Sequence, residues 1–229
     1  MILGKEYILG IDFGVNCTIT SSSGLTHLES LRYFAHDDND SYVEEKIKSD
    51  YFQSYINDAP STIKKWIKSE KATVTIFEKQ STGTMNYKIH MDQLKKIPDS
   101  LIEENIFYVD SENTSKICAR CGEKGYRIYF TNAKTDMKES LFYCNNCFPK
   151  GIDADLNAAR VIAIKGGIEL AKEAKSKKEE WKNRFYILLE DSEYNYERRS
   201  YRIECLGSNP KIEDIPWVKK RNRKDIKLT

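Results

Sequence analysis

The chain has 229 residues, enough for one sizeable domain or a domain with a small insertion. With 40% hydrophobic and 31% charged residues it reads as a folded globular protein and excludes a disordered tail. A net charge of +2 makes no case for nucleic acid, and no apolar run reaches the roughly 20 residues that span a bilayer, so a cytoplasmic location without membrane contact is expected.

The first element is the apolar, β-prone run YILGID at 7–12, followed by an alternating run at 17–22 and a third short run at 26–34. Together they predict an antiparallel meander of three strands. From 41 to 69 apolar residues recur at three- and four-residue steps, and Pro60 splits the pattern into two expected helices. ATVTIFE at 72–78 reads as a buried strand ending in a carboxylate, residues 91–97 as a short helix, and ENIFYVD at 104–110 as another strand. After a cysteine-rich segment, residues 154–174 predict an amphipathic helix, with Gly166 and Gly167 as the place where it kinks or stops. The stretch beyond 175 gives no clear period. Strands joined by helices to a meander make a mixed α/β sheet flanked by helices.

Six cysteines are present, and four of them form two pairs, Cys118-Ala-Arg-Cys121 and Cys144-Asn-Asn-Cys147, with 22 residues between the pairs. Two such knuckles offer four thiolates for one tetrahedral zinc ion. Gly122 suits the relaxed backbone a knuckle needs, and YRIYF at 126–130 and SLFYC at 140–144 read as the strands of a zinc ribbon. Four thiolates close the coordination sphere, so the expected zinc is structural. Cys17 and Cys205 stand alone and read as ordinary small side chains.

Three carboxylates end or begin these elements. Asp12 closes the first strand, where it either caps a turn or projects from the edge of the core. Glu78 closes the strand after the helices, where a solvated strand end is the plain alternative. Asp153 fits a helix cap, and Asp155 lies inside the first helical turn. A carboxylate on each of two strands and one opening a late helix can converge at one sheet edge. Such a cluster can hold magnesium ions for phosphodiester hydrolysis. The basic run WVKKRNRKDIK at 217–227 suits phosphate backbones or a solvated terminus, and HDDND at 36–40 is an acidic loop. Arg120, Lys124 and Arg127 of the ribbon could touch phosphates or lie solvated.

GIDFGVNCTIT at 10–20, TSKICARCG at 114–122, FYCNNC at 142–147 and DADLNAARVIA at 153–163 together resemble the RuvC motifs and zinc ribbon of the TnpB nucleases and type V CRISPR effectors. The resemblance implies an RNase H-like (RuvC) fold over about the first 165 residues, and with the extension of unknown structure that follows, the chain divides into four parts. These are residues 1–113, a zinc-ribbon insertion at 114–150, a closing helix at 151–175, and an extension at 176–229. It implies RNA-guided, magnesium-dependent cleavage of a DNA target, with Asp12, Glu78 and Asp155 as catalytic metal ligands. Lys79-Gln80 follow Glu78 where the family has an acidic residue and leucine. The chain starts almost at the first motif, so a guide RNA and a separate protein carrying the guide-binding domains are expected partners. The alternatives are a nuclease-inactive RNA-guided DNA-binding module and a dimeric junction resolvase, which leaves the ribbon unexplained.

Overall fold

A computed structural model describes residues 5–13, 18–28, 50–79, 96–101, 104–132, 137–179, 185–190 and 198–202. Strand β1 (Glu6–Phe13) is the axis of the main sheet. It pairs antiparallel with β2 (Thr18–Ser21), which pairs antiparallel with β3 (Thr26–Leu28). On its other side β1 pairs in parallel with β4 (Val74–Lys79), and β4 pairs in parallel with β5 (Ile106–Asp110). The expected meander and the two later strands are therefore all present, in one mixed sheet.

Helix α1 (Asp50–Glu70) covers one face of this sheet. It is a single helix where two were expected, because Pro60 sits inside it. A proline removes one backbone hydrogen bond and crowds the preceding turn. Ile56, Ala59, Ile63, Trp66 and Ile67 on both sides of Pro60 pack into one core with Leu9, Ile11 and Phe77, and that burial offsets the loss. Residues 41–49 lie outside the described residues, as do 29–34 and 91–95; residues 96–99 form a helical turn.

Strands β6 (Tyr126–Asn132), β7 (Met137–Cys144) and β8 (Phe148–Asp153) form a separate antiparallel sheet, the ribbon. Strand β8 runs without a linker into helix α2 (Ala154–Ser176), so the expected division at 150 falls inside a strand. Helix α2 covers the second face of the main sheet, against Ile8, Val74, Ile76, Phe185 and Ile187. It continues through Gly166 and Gly167 with no break. The stretch with no clear period supplies β9 (Phe185–Glu190), parallel to β1, and β10 (Arg198–Arg202), antiparallel to β9. Among the described residues the main sheet has seven strands.

Strand β1 has two partners on one edge. Strand β9 pairs with its first half at Glu6–Ile8, and β2 with its second half at Ile11–Phe13. Ser22 closes the fork: its hydroxyl donates to the Leu188 carbonyl at 2.6 Å and accepts from the Gly10 N–H at 3.1 Å.

Helix α2 lies almost backbone to backbone on β1. A Cβ at Gly10 would come within 2.3 Å of the Ala159 carbonyl oxygen and 2.8 Å of the Ala163 Cβ, so no side chain fits there. One layer along, a Cβ at Gly166 would meet Ile76 at 2.6 Å. Gly10→Val therefore lifts the helix from the sheet. A loss of at least about 3 kcal/mol is expected in a urea titration, or failure to fold, against about 1 kcal/mol for an exposed substitution such as Glu169→Val.

Candidate carboxylate cluster and zinc ribbon

The site begins with the alternation of β1. Leu9 and Ile11 face α1, so Ile8, Gly10 and Asp12 face α2. On β4, Phe77 faces α1, while Val74, Ile76 and Glu78 face α2. Asp12 and Glu78 each follow directly on the paired residues Ile11 and Phe77. They therefore end neighbouring parallel strands on the same face.

Helix α2 brings the third carboxylate. Ala159 lies over Gly10, and Asp155 is one turn earlier on the same side of the helix. Asp12 is two residues beyond Gly10 on the same strand face. The crossing thus carries Asp155 toward Asp12. Asp153 caps the helix, accepting from the Leu156 N–H at 2.8 Å, which matches its expected role.

The electrostatics follow from this crowding. Asp12 is held well above the usual carboxylate range by burial, then by the neighbouring charges of Asp155 and Glu78, with Arg127 pulling the other way. Burial also raises Glu78, opposed by a hydrogen bond from Thr114 and by the charge of Lys165. The Thr114 hydroxyl donates to Glu78 Oε2 at 2.6 Å. Buried Lys165 donates to the backbone carbonyls of Asp110 and Glu112, the latter at 2.8 Å, and so pins the end of β5 beside Glu78.

Arg127, on β6 of the ribbon, forms an ion pair with Asp155. Ser140 on β7 holds the guanidinium at 2.8 and 3.0 Å, and the ring of Tyr129 lies 5.4 Å beneath it. Sequence reasoning offered Arg127 only as a phosphate contact or a solvated side chain. It overlooked Thr114, Lys165 and Asn157. Asn157, Arg160 and Lys165, polar positions among the buried, alanine-rich residues of α2, were the available signal for the last two.

The ribbon builds its own site. The four sulfur atoms of Cys118, Cys121, Cys144 and Cys147 lie within 4.8 Å of one another, and Cys121 Sγ is 3.7 Å from Cys144 Sγ. Ligands at about 2.3 Å from a tetrahedral zinc stand roughly 3.8 Å apart, so this set fits the ion. Among the described residues this is the group of His, Cys, Asp and Glu side chains drawn close enough to share an ion; the three carboxylates are not drawn that close. Gly122 takes the left-handed φ of 72° that the first knuckle requires, and its N–H donates to the Cys118 carbonyl at 2.8 Å. Burial raises the Cys118 thiol, and burial with the neighbouring Cys121 raises Cys147 to about 11. At Cys144 burial also pushes upward, but the N–H groups of Asn146 and Cys147 together with hydrogen bonds from Cys121 and Cys118 outweigh it and lower the thiol.

Ribbon and helix are tied by one side chain. Asn157 is fully buried; its amide donates to the Ile117 carbonyl at 2.9 Å and accepts from the Ala119 N–H at 3.0 Å. Both partners flank Cys118. The first knuckle and the first turn of α2 are therefore joined directly.

The architecture is a mixed α/β sheet between helices with a four-cysteine ribbon inserted before the last helix. Residues 103–162 match the family model Cas12f1-like, TNB domain, which supports a relationship to the TnpB and type V effector family. The match takes in β5, the whole ribbon and the start of α2, with both Asp155 and Asn157. Comparison with curated proteins returns no match. No helix among the described residues is long and apolar enough to cross a membrane. Cys17, Cys205 and residues 36–40 and 217–227 lie outside the described residues.

Two measurements follow. The purified chain is expected to carry one zinc ion by elemental analysis, and Cys144→Ser to lose it, with protease nicking between 126 and 144 as the sign that the ribbon has opened. For Asp12, a raised pKa means that the folded chain takes up that proton more readily than the unfolded one. Stability therefore rises as pH falls through the raised value. Asp12→Asn in zinc-loaded, magnesium-free protein is expected to raise the melting midpoint at pH 7.5 by roughly 2–4 °C, the effect of about 1 kcal/mol in a chain of this size. The gap should close as acid protonates Asp12 in the wild type.

Proposed function

We propose that the chain is an RNase H-like, RuvC-type DNA endonuclease subunit or domain of an RNA-guided system related to TnpB and type V CRISPR effectors. The observation that carries this reading is the crossing of α2 over Gly10, which carries Asp155, inside the matched TNB segment, toward Asp12, whose pKa Asp155 and Glu78 both help to raise. The strand order β3-β2-β1-β4-β5, antiparallel then parallel, also supports it. A target DNA, a guide RNA and a protein with guide-binding domains complete the proposed assembly.

Asp12, Glu78 and Asp155 are the proposed ligands for magnesium. Hard carboxylate oxygens suit that ion, and the mutual repulsion that raises Asp12 is what a divalent cation relieves. Magnesium bound there supplies an activated water and stabilises the leaving oxygen. The chain's own groups prepare the site. Thr114 and Lys165 fix Glu78, and Asp153 and Asn157 fix the turn that carries Asp155. Arg127 neutralises Asp155; with a cation held by that carboxylate, its guanidinium would lie beside the cluster, placed to bind a phosphate.

The ion pair also favours a second reading, a nucleic-acid-binding module without cleavage, because Arg127 already occupies the charge of Asp155. One experiment separates them. The chain is purified with its genomic neighbours and co-purifying RNA, and single-stranded DNA cleavage is followed with magnesium. Asp12→Ala and Asp155→Asn are expected to lower the rate by at least roughly 100-fold, the effect of several kcal/mol of lost stabilisation. Wild type that binds DNA but never cuts it establishes the second reading. Thr114→Val should lower the rate less than Glu78→Gln, since it removes only the group that orients the ligand.

A further inference from the structure

Strand β2 and the turn after it bury four hydroxyls in a row, those of Thr20, Ser21, Ser22 and Ser23, each residue at most 2% exposed. Three of the four are bonded. Ser22 donates to the Leu188 carbonyl and accepts from the Gly10 N–H. Ser21 and Ser23 share a hydrogen bond at 3.1 Å, and Ser21 also accepts from the Leu25 N–H at 2.9 Å. Thr20 differs: among the described residues its hydroxyl has no hydrogen-bond partner. Burying a hydroxyl in that condition is unfavourable and uncommon in a native fold.

Strand pairing sets what lies beside this hydroxyl. Thr20 stands directly opposite Asp12 in the β1–β2 ladder. Its neighbour Ile19 packs into the α1 core, so Thr20 lies on the other face, which it shares with Asp12 and Glu78. Helix α2 packs on β2 there as well as on β1. Opposed Cβ atoms of antiparallel strands stand about 4.5–5.5 Å apart, near enough for a hydroxyl to meet a carboxylate oxygen. Glu78 already has such a donor in Thr114, at 2.6 Å. Each of the two carboxylates that end neighbouring strands thus has a threonine beside it, one engaged and one not.

We propose that Thr20 is a positioning residue for Asp12: its hydroxyl donates to that carboxylate when the cluster holds a divalent cation, as Thr114 donates to Glu78. The inference rests on the magnesium reading above and adds a residue to it. A hydroxyl bonded to an ionised carboxylate makes a stronger bond than one between neutral groups. In the cation-free chain the same hydroxyl is buried to no benefit. Its removal therefore acts in opposite directions on the two states, which the loss of ordinary packing does not.

The test follows thermal melting of the full zinc-loaded chain at pH 7.5, first without divalent cation and then through a titration with manganese, which takes the same oxygen donors as magnesium. Cation binding draws only on this chain's carboxylates, so neither guide nor partner protein enters. Affinity is read from the rise of the midpoint with manganese concentration. Thr20→Val keeps the branched shape and removes the hydroxyl. It is expected to raise the cation-free midpoint by roughly 2–4 °C, yet to bind manganese roughly tenfold more weakly. Thr20→Ser should bind manganese as the wild type does, and Asp12→Ala should lose the response. Thr20→Val that melts below the wild type without cation, or that binds manganese as tightly, overturns the inference, as does Thr20→Ser that fails to restore binding. Wild type with no manganese response overturns the magnesium reading as well. A response lost in Asp12→Ala but kept in Thr20→Val overturns the role of Thr20 alone.

Discussion

The close approach of α2 to β1 governs the rest of the molecule. With only hydrogen at position 10, the helix backbone settles against the strand, and Ala159 and Ala163 fill the contact. Strand pairing then fixes Glu78 beside Asp12, and the helical turn fixes Asp155 above them. Larger side chains at the crossing would still leave a helix and a sheet. They would not leave three carboxylates close enough to feel one another's charge, because electrostatic coupling falls off with each ångström of separation.

That arrangement is costly for the chain alone. Burial first, and then the charges of Asp155 and Glu78, raise Asp12; Arg127 works against this, as Thr114 and Lys165 work against the rise at Glu78. Each of these comes from a different part of the chain: the ribbon, the loop after β5, and the middle of α2. The metal site of the ribbon follows the opposite logic. Its four thiols come from two tight turns, so nearly all of its geometry is local. The proposed functional cluster depends on tertiary packing and the zinc cluster on short-range turns.

This difference explains what was legible in the sequence. The cysteine pairs, Gly122 and the two ribbon strands could be read directly, since a knuckle is a local motif. The β1–β3 meander, β4, β5 and the start of α2 followed from apolar periodicity, while the unbroken passage of α2 through Gly166 and Gly167 did not. Helix α1 was split at Pro60 because the core formed by Ile56, Ile63 and Trp66 on either side is invisible in a local pattern. Strand β9 was missed because it is a sheet member through pairing with β1, nearly the whole chain away. The roles of Asn157, Lys165 and Thr114 were missed for the same reason: each bonds to a partner distant in sequence. The catalytic assignment of Asp12, Glu78 and Asp155 came from resemblance, and the packing supplies a physical route for their approach.

The tie made by Asn157 shortens the loop that the chain must close. Between β5 and α2 the backbone makes a long excursion, and closing such a loop to seat a helix on β1 costs more as the loop lengthens. The ribbon folds that excursion onto itself, and Asn157 fastens its first knuckle to the helix start. The effective loop becomes the few residues from Asp110 to Ile117. A zinc ion held by the four cysteines, far from the carboxylates in chemical terms, would thereby act as a clasp that lowers the conformational cost of bringing the last of them home.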